Sequence, residues 1–295
     1  MSRFRSPVLA ALFVTFLWST SWVLIKIGLD DLPPLTFAGL RYTVAAAVLM
    51  TGALASRRTR TALAGLAPAD WSRIALLGVV LYAVTQGAQF VGLSLLPAAT
   101  LSLVLSFTPL LVTLTSGRML AETARAGQWV GMALALAGAA LYLAPGLGGA
   151  SAAGLAVALV GLLANATSSL LGRSVNRDSG LGPLAVTAPS MAIGGLLTLG
   201  TGLAVEPPPQ LDASAWAIVL WLAVVNTAFA FTLWNHTLRH LTATESATLN
   251  NTMLVQIALL AWLVLDETPT ALEWAGIGLV AVGVYAVQRP ARHPG

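Results

Sequence analysis

Residues 122–131 read ETARAGQWVG, and residues 267–276 read ETPTALEWAG. The two stretches share the pattern E-T-x-x-A-x-x-W-x-G, and every shared residue lies 145 positions after its counterpart. The same offset relates Leu96 to Leu241 and Gly138 to Gly283 without a gap. A weaker match has an offset of 147 residues. In it, Thr20, Ser21 and Lys26 correspond to Thr167, Ser168 and Arg173. The chain therefore carries an internal duplication.

The composition decides the class of protein. Of 295 residues, 57% are hydrophobic and 9% are charged, whereas a soluble domain carries about 25% charged residues. This excess of apolar residues argues against a soluble enzyme, a disordered chain or a nucleic-acid-binding protein. The chain has no cysteine, which excludes thiolate nucleophiles and zinc–thiolate sites. We predict an all-α integral membrane protein.

The apolar stretches predict ten membrane-spanning helices, since about 20 apolar residues cross the hydrocarbon core. The spans are expected at 7–29, 34–56, 71–95, 97–117, 126–144, 151–172, 181–203, 213–238, 243–264 and 271–288. Residues 1–147 then form one repeat of five spans, and residues 148–295 form the other. Because five is odd, the second repeat enters the membrane from the opposite face, so the repeats are inverted. Inverted repeats are typical of secondary transporters.

The positive charges predict the orientation. If the N-terminus is cytoplasmic, all 15 lysines and arginines except Lys26 and Arg41 lie at cytoplasmic edges, as the positive-inside rule requires. Both termini are then cytoplasmic. The first span continues to Lys26 without a small-residue cleavage site, so we expect it to be a retained helix.

Several motifs resemble those of the EamA-type drug/metabolite transporter superfamily. They are WSTSWVLIKIGL at residues 18–29, followed by Pro34 and Arg41, then LSLLPAAT at 93–100, TPLL at 108–111, and Glu122. The resemblance covers the whole chain and is strongest to the aromatic amino-acid exporters of bacterial inner membranes. It implies a ten-helix transporter with a central cavity built from spans 1, 3, 4, 6, 8 and 9.

Polar residues at mid-bilayer depth are candidates for binding the cargo, because a polar side chain is costly against lipid. Spans 2, 5, 7 and 10 carry almost none. The alternative for each residue is a hydrogen bond that only joins helices, worth about 0.6 kcal/mol. With the aromatic residues on the same spans, the candidates are Trp18, Ser19, Thr20, Tyr82, Gln86, Phe107, Asn165, Thr167, Asn226, Asn250 and Asn251.

Five residues are candidates for gating: Lys26, Arg41, Pro109, Glu122 and Glu267. Arg41 lies two turns inside span 2 and is predicted to brace an outer gate against Asp30 or Glu267, unless it merely reaches the interface. Pro109 is predicted to kink span 4. Aspartate and glutamate are absent from mid-depth, which favours facilitated diffusion or exchange over proton antiport.

Aromatic residues with amides favour a small amphiphilic cargo, above all aromatic or other apolar amino acids, moved by alternating access. Phosphorylated cargo is disfavoured, because no cation is expected at mid-depth. A multidrug or other metabolite transporter stays open as an alternative. An intramembrane enzyme would need a central histidine or paired aspartates, which are missing. We expect no cofactor, no metal and no nucleic acid. The lipid bilayer is the expected surrounding, and the chain is expected to be a monomer or weak oligomer.

Overall fold

The computed structural model describes residues 6–96, 98–146, 151–178, 180–256, 260 and 270–288, and this part of the chain is helical without strands. The first half contains α1 (Pro7–Gly28), α2 (Pro34–Ala55), α3 (Arg57–Ala64), α4 (Pro68–Leu95), α5 (Ala98–Ser106), α6 (Thr108–Leu120) and α7 (Ala126–Leu143). The second half contains α8 (Ala152–Asp178), α9 (Pro183–Val205), α10 (Ala213–Thr237), α11 (Ala243–Asn250) and α12 (Ala271–Gln288).

Eight helical segments within the described residues are long and apolar enough to cross a membrane. They include α5 and α6 together, as Thr100–Leu120. Helix α7 is apolar but shorter. Helix α11 is followed by helical residues 252–256, and residues 257–259 lie outside the described part of the chain. The count of ten spans and the inversion of the repeats therefore stay predictions.

Proline begins several of the helices. Pro7, Pro34, Pro68 and Pro183 each occupy the first helical turn of α1, α2, α4 and α9. A first-turn proline sacrifices no helical hydrogen bond, because the N–H groups there have no partner within the helix. These positions explain why short links suffice to separate long apolar helices.

Glycines bring α7 and α12 into backbone contact. A Cβ atom at Gly131 would lie 2.6 Å from the carbonyl oxygen of Gly283, and one at Gly138 would lie 2.6 Å from that of Gly276. The offset of 145 relates Gly131 to Gly276 and Gly138 to Gly283. Gly131 thus contacts the counterpart of Gly138, and Gly138 contacts the counterpart of Gly131, so α7 and α12 run antiparallel at this contact.

Two helices contain a π-helical segment. In α4 it spans Gly78–Thr85, and in α10 it spans Val224–Phe229, which begins 146 positions later. A π-helical turn shifts the hydrogen-bond pattern by one residue and frees backbone carbonyls for other donors. The segments therefore lie at matching positions of the duplicated sequence.

Two helices are interrupted near the middle of the bundle. Phe107 separates α5 from α6, with φ −77° and ψ −6°, and Asn251 ends α11, with φ −68° and ψ −11°. Pro109 lies two residues past the first interruption and cannot donate to Leu105. The carbonyl oxygen of Leu105 instead accepts the Thr108 hydroxyl at 2.6 Å. The predicted irregularity of span 4 is thus a break at Phe107.

Candidate functional site

A central cavity of about 140 Å³ lies between α1, α2, α4, α5, α6, α8, α10 and α11. This volume is far more than a single water molecule requires. Its wall combines rings, amides, hydroxyls and one guanidinium: Trp18, Ser21, Trp22, Arg41, Tyr42, Leu81, Thr85, Gln86, Gln89, Ser102, Leu105, Ser106, Thr108, Asn165, Ser168, Ser169, Gly172, Phe231, Trp234, Asn235, Leu238, Ala247, Asn250, Asn251, Met253 and Leu254.

Five of the predicted binding residues line this cavity: Trp18, Gln86, Asn165, Asn250 and Asn251. Gln86 accepts a 2.6 Å hydrogen bond from the Tyr42 hydroxyl, and Asn165 donates to the Thr108 hydroxyl at 3.1 Å. The side-chain oxygen of Asn250 is buried and has no hydrogen-bond partner among the described residues. The structure therefore brings amides from both halves of the chain to one cavity.

The other predicted binding residues lie outside the cavity wall: Ser19, Thr20, Tyr82, Phe107, Thr167 and Asn226. Thr167 is exposed on the outer surface of the bundle and bonds to its own helix, and Phe107 is 40% exposed. Asn226 donates to the Thr20 hydroxyl at 3.0 Å and joins α10 to α1.

Buried Tyr82 and Ser19 also lie behind the wall. The Tyr82 ring packs 5.2 Å from that of Phe231, and Ser19 donates to Gln256 at 3.0 Å. Both residues are predicted to bind the cargo because of their position along the span. Their side chains, however, face away from the cavity.

Four aromatic residues of the wall were not among the predicted binding residues: Trp22, Tyr42, Phe231 and Trp234. Trp18 packs between two of them, with centroid distances of 4.8 Å to Phe231 and 5.1 Å to Trp234. Trp22 lies six residues before the end of α1, and Trp234 lies three residues before the end of α10. Tyr42 lies on α2, although span 2 was expected to stay outside the cavity wall. The aromatic character of the cavity is thus greater than predicted.

Arg41 is 2% exposed and lines the cavity from α2. Its Nε donates to the Thr227 hydroxyl at 2.6 Å, and Nη2 donates to the Asn226 carbonyl at 3.4 Å. The predicted pairing with Asp30 is wrong, because the ion pairs among the described residues all involve Glu122. The predicted alternative partner, Glu267, lies outside the described residues. The sequence predicted no cation at mid-depth, but the cavity wall includes Arg41.

Glu122 joins three helices at one end of the bundle. Its carboxylate accepts Arg173 Nε at 2.8 Å, Arg177 Nη1 at 3.3 Å and the Ala243 N–H at 2.9 Å. Arg173 also donates to the Leu238 carbonyl at 2.7 Å. Leu238 and Gly172, the residue before Arg173, line the cavity, so this cluster lies next to the cavity wall.

Lys26 and Pro109, the remaining gating candidates, differ in their surroundings. Lys26 is exposed in the last turn of α1, where its long side chain can reach the headgroup region. Pro109 is buried in the first turn of α6, next to Thr108 of the cavity wall.

The helices and the cavity together define a class: a multi-pass membrane transporter of small molecules. The family model of the EamA-like transporter family matches residues 5–144 and 152–288, nearly the whole chain. The chain belongs to the EamA-like transporter family.

Three similar proteins illustrate this membership. The chain is 28% identical to "Uncharacterized inner membrane transporter YedA" of Escherichia coli (strain K12), over 97% of this chain and 92% of that protein. It is 26% identical to "Probable amino-acid metabolite efflux pump" of the same strain, over 95% and 94%. One crystal structure, 22% identical, has a TM-score of 0.80 over 96% of this chain and 97% of that one. The names of the relatives are those of transporters rather than enzymes.

Proposed function

We propose that the chain is a secondary transporter that exports small amphiphilic metabolites, with aromatic and other apolar amino acids as its cargo. The observation that carries this proposal is the wall of the cavity. Trp18, Trp22, Phe231 and Trp234 offer ring surfaces, and the amides of Gln86 and Asn250 lie on the same wall. Apolar pockets with a few placed polar groups suit small organic ligands. The relative named as a probable amino-acid metabolite efflux pump agrees with this class of cargo.

Alternating access between two inverted five-helix repeats is the proposed mechanism. Three features at matching positions of the two halves support it: the π-helical segments of α4 and α10, the interruptions at Phe107 and Asn251, and the glycine contacts of α7 and α12. Interrupted helices in corresponding positions mark the binding site in many transporters. Two halves of similar structure can form inward-open and outward-open states of similar energy.

The proposed location is the bacterial inner membrane, with both termini in the cytoplasm. The apolar helices and the relative named as an inner membrane transporter support the membrane, and the arginine distribution supports the orientation. In this orientation the Glu122 cluster lies at the cytoplasmic end of the cavity.

Counterflow in proteoliposomes tests the proposal. Vesicles loaded with unlabelled phenylalanine are expected to take up labelled phenylalanine and tryptophan, but not a labelled sugar phosphate. Trp18→Ala and Gln86→Ala are expected to reduce uptake at least tenfold. Trp129→Ala is the matched control, because Trp129 lies on α7 at the exposed surface. Absence of exchange by protein with a normal thermal unfolding transition would discard the amino-acid cargo and make drugs the next cargo to test.

A further inference from the structure

One positive charge of the cavity wall has no negative partner among the described residues. The two ion pairs among the described residues join Glu122 to Arg173 and Arg177. Arg173 and Arg177 thus share one carboxylate, and neither of them is a residue of the cavity wall. Arg41 forms no ion pair in the described part of the chain, and no described aspartate or glutamate lines the cavity. Within the described part of the chain, the cavity therefore contains one guanidinium without a counter-charge.

The hydrogen bonds of Arg41 fix its orientation without using all of its donors. Nε is held by Thr227 and Nη2 by the carbonyl of Asn226, both in the π-helical segment of α10. The ring of Tyr42 lies 5.4 Å from the centre of the guanidinium. A guanidinium has five N–H donors, and among the described residues Nη1 has no acceptor. The donors that remain are available to a ligand in the cavity.

A buried charge is costly unless a counter-charge and hydrogen bonds compensate it. We propose that Arg41 binds the carboxylate of the cargo, as a monoanionic group that neutralises this guanidinium. Arginine binds carboxylates through paired N–H donors, which gives both affinity and orientation. A phosphate dianion would bring one negative charge more than the described cavity wall can balance. This inference rests on the proposed function and adds the group by which the cargo is recognised.

The described residues of the wall offer no equally strong partner for an amino group. An ammonium can donate to the free side-chain oxygen of Asn250, and it can lie against the face of Trp18 or Trp22. Both interactions are weaker than an ion pair with a carboxylate. The site therefore requires the carboxylate and tolerates loss of the amino group.

Thermal unfolding of the purified protein in the presence of three ligands tests whether the carboxylate contributes more to binding than the amino group. Phenylalanine and 3-phenylpropionate both carry the carboxylate, and phenethylamine carries only the amine. The wild-type protein is expected to bind the first two with dissociation constants within tenfold of each other, and phenethylamine at least tenfold more weakly. Arg41→Gln is expected to weaken binding of both carboxylates at least tenfold, and Arg41→Lys less. Arg58→Gln, an exposed arginine on α3, is the control and should bind like the wild type.

Several results would overturn the inference. They are phenethylamine binding as tight as phenylalanine, unchanged carboxylate binding by Arg41→Gln, or no binding of any carboxylate by folded protein. The ligand comparison uses wild-type protein, so it decides the question even if Arg41→Gln fails to fold. Arg41-dependent binding without counterflow would instead contradict the proposed function and leave the inference standing.

Discussion

The side-chain nitrogen of Asn251 donates a 3.1 Å hydrogen bond to the backbone carbonyl of Ser106, and the two residues are 145 positions apart. This separation is the offset that relates ETARAGQWVG to ETPTALEWAG. Both residues line the cavity, and each lies at or beside a helix interruption. Ser106 and Asn251, which correspond in the duplicated sequence, thus meet beside the cavity. The interrupted helices leave backbone carbonyls without helical donors, and a side chain donates to one of them.

Asn251→Ala removes the donor to the Ser106 carbonyl. We expect a loss of about 1 kcal/mol in the free energy of unfolding, because interhelical hydrogen bonds in membrane proteins are individually modest. Counterflow is expected to fall more than tenfold, since the interruption beside the cavity loses its cross-link. Both are measured on the same preparation, with Gln210→Ala, an exposed amide, as the control. Normal counterflow by Asn251→Ala would show that this contact is structural only.

Pro109→Ala restores an N–H group that can donate to the Leu105 carbonyl. We expect α5 and α6 to join into a straighter helix, which displaces Ser106 and Thr108 from the cavity wall. Counterflow is expected to fall several-fold while the unfolding temperature stays equal or rises. Pro183→Ala in the first turn of α9 is the matched control, because no interruption follows it. A normal transport rate would show that the break at Phe107 does not depend on the proline.

Gly138→Ala tests the contact between α7 and α12. The new methyl group would lie 2.6 Å from the carbonyl oxygen of Gly276 and 2.6 Å from the nitrogen of Val280, so the helices must separate. We expect a cost of about 1–3 kcal/mol, the usual range for overpacking. Gly127→Ala on the same helix meets no atom within 4 Å and is the control. Equal unfolding temperatures for the two variants would contradict the close approach.

The sequence did not predict the direction of side chains around each helix. Thr167 and Ser168 are adjacent on α8, yet Thr167 is exposed and Ser168 lines the cavity, because successive residues point about 100° apart. In a soluble helix the contrast between apolar and polar faces reveals this angle. A membrane helix is apolar on both the lipid side and the packed side, so the contrast is lost.

The bounds of the helices were easier to predict. Pro34 and Pro183 mark the starts of α2 and α9 in the sequence, and the long apolar runs leave little choice of secondary structure. The role of Arg41 in the cavity wall could not be predicted in this way. It depends on the π-helical segment of α10, which presents Thr227 and the Asn226 carbonyl to the guanidinium. The sequence of residues 224–229 contains no pattern that predicts a π-helical segment.

Counterflow is expected to persist when the pH is equal on both sides of the vesicle membrane. No aspartate or glutamate in the described part of the chain lines the cavity, and Arg41 keeps its charge through the physiological range. An ionophore that collapses an imposed pH gradient should therefore leave exchange of labelled phenylalanine unchanged. A dissipated sodium gradient is the parallel control. Loss of exchange only when the pH gradient collapses would establish proton coupling.

Glu122→Gln is expected to loosen the closed end of the cavity. Glutamine can still accept the Ala243 N–H, but it loses the charge that holds Arg173 and Arg177, so about 2 kcal/mol of charge-assisted hydrogen bonding is lost. The chain has no cysteine, so Leu170→Cys, buried between α6, α8 and α11, is a unique reporter. Its labelling by a maleimide should accelerate several-fold in Glu122→Gln, whereas Arg118→Gln at the exposed end of α6 should leave it unchanged. An unchanged labelling rate in Glu122→Gln would show that apolar packing around Leu170, rather than the ion pair, keeps this end closed.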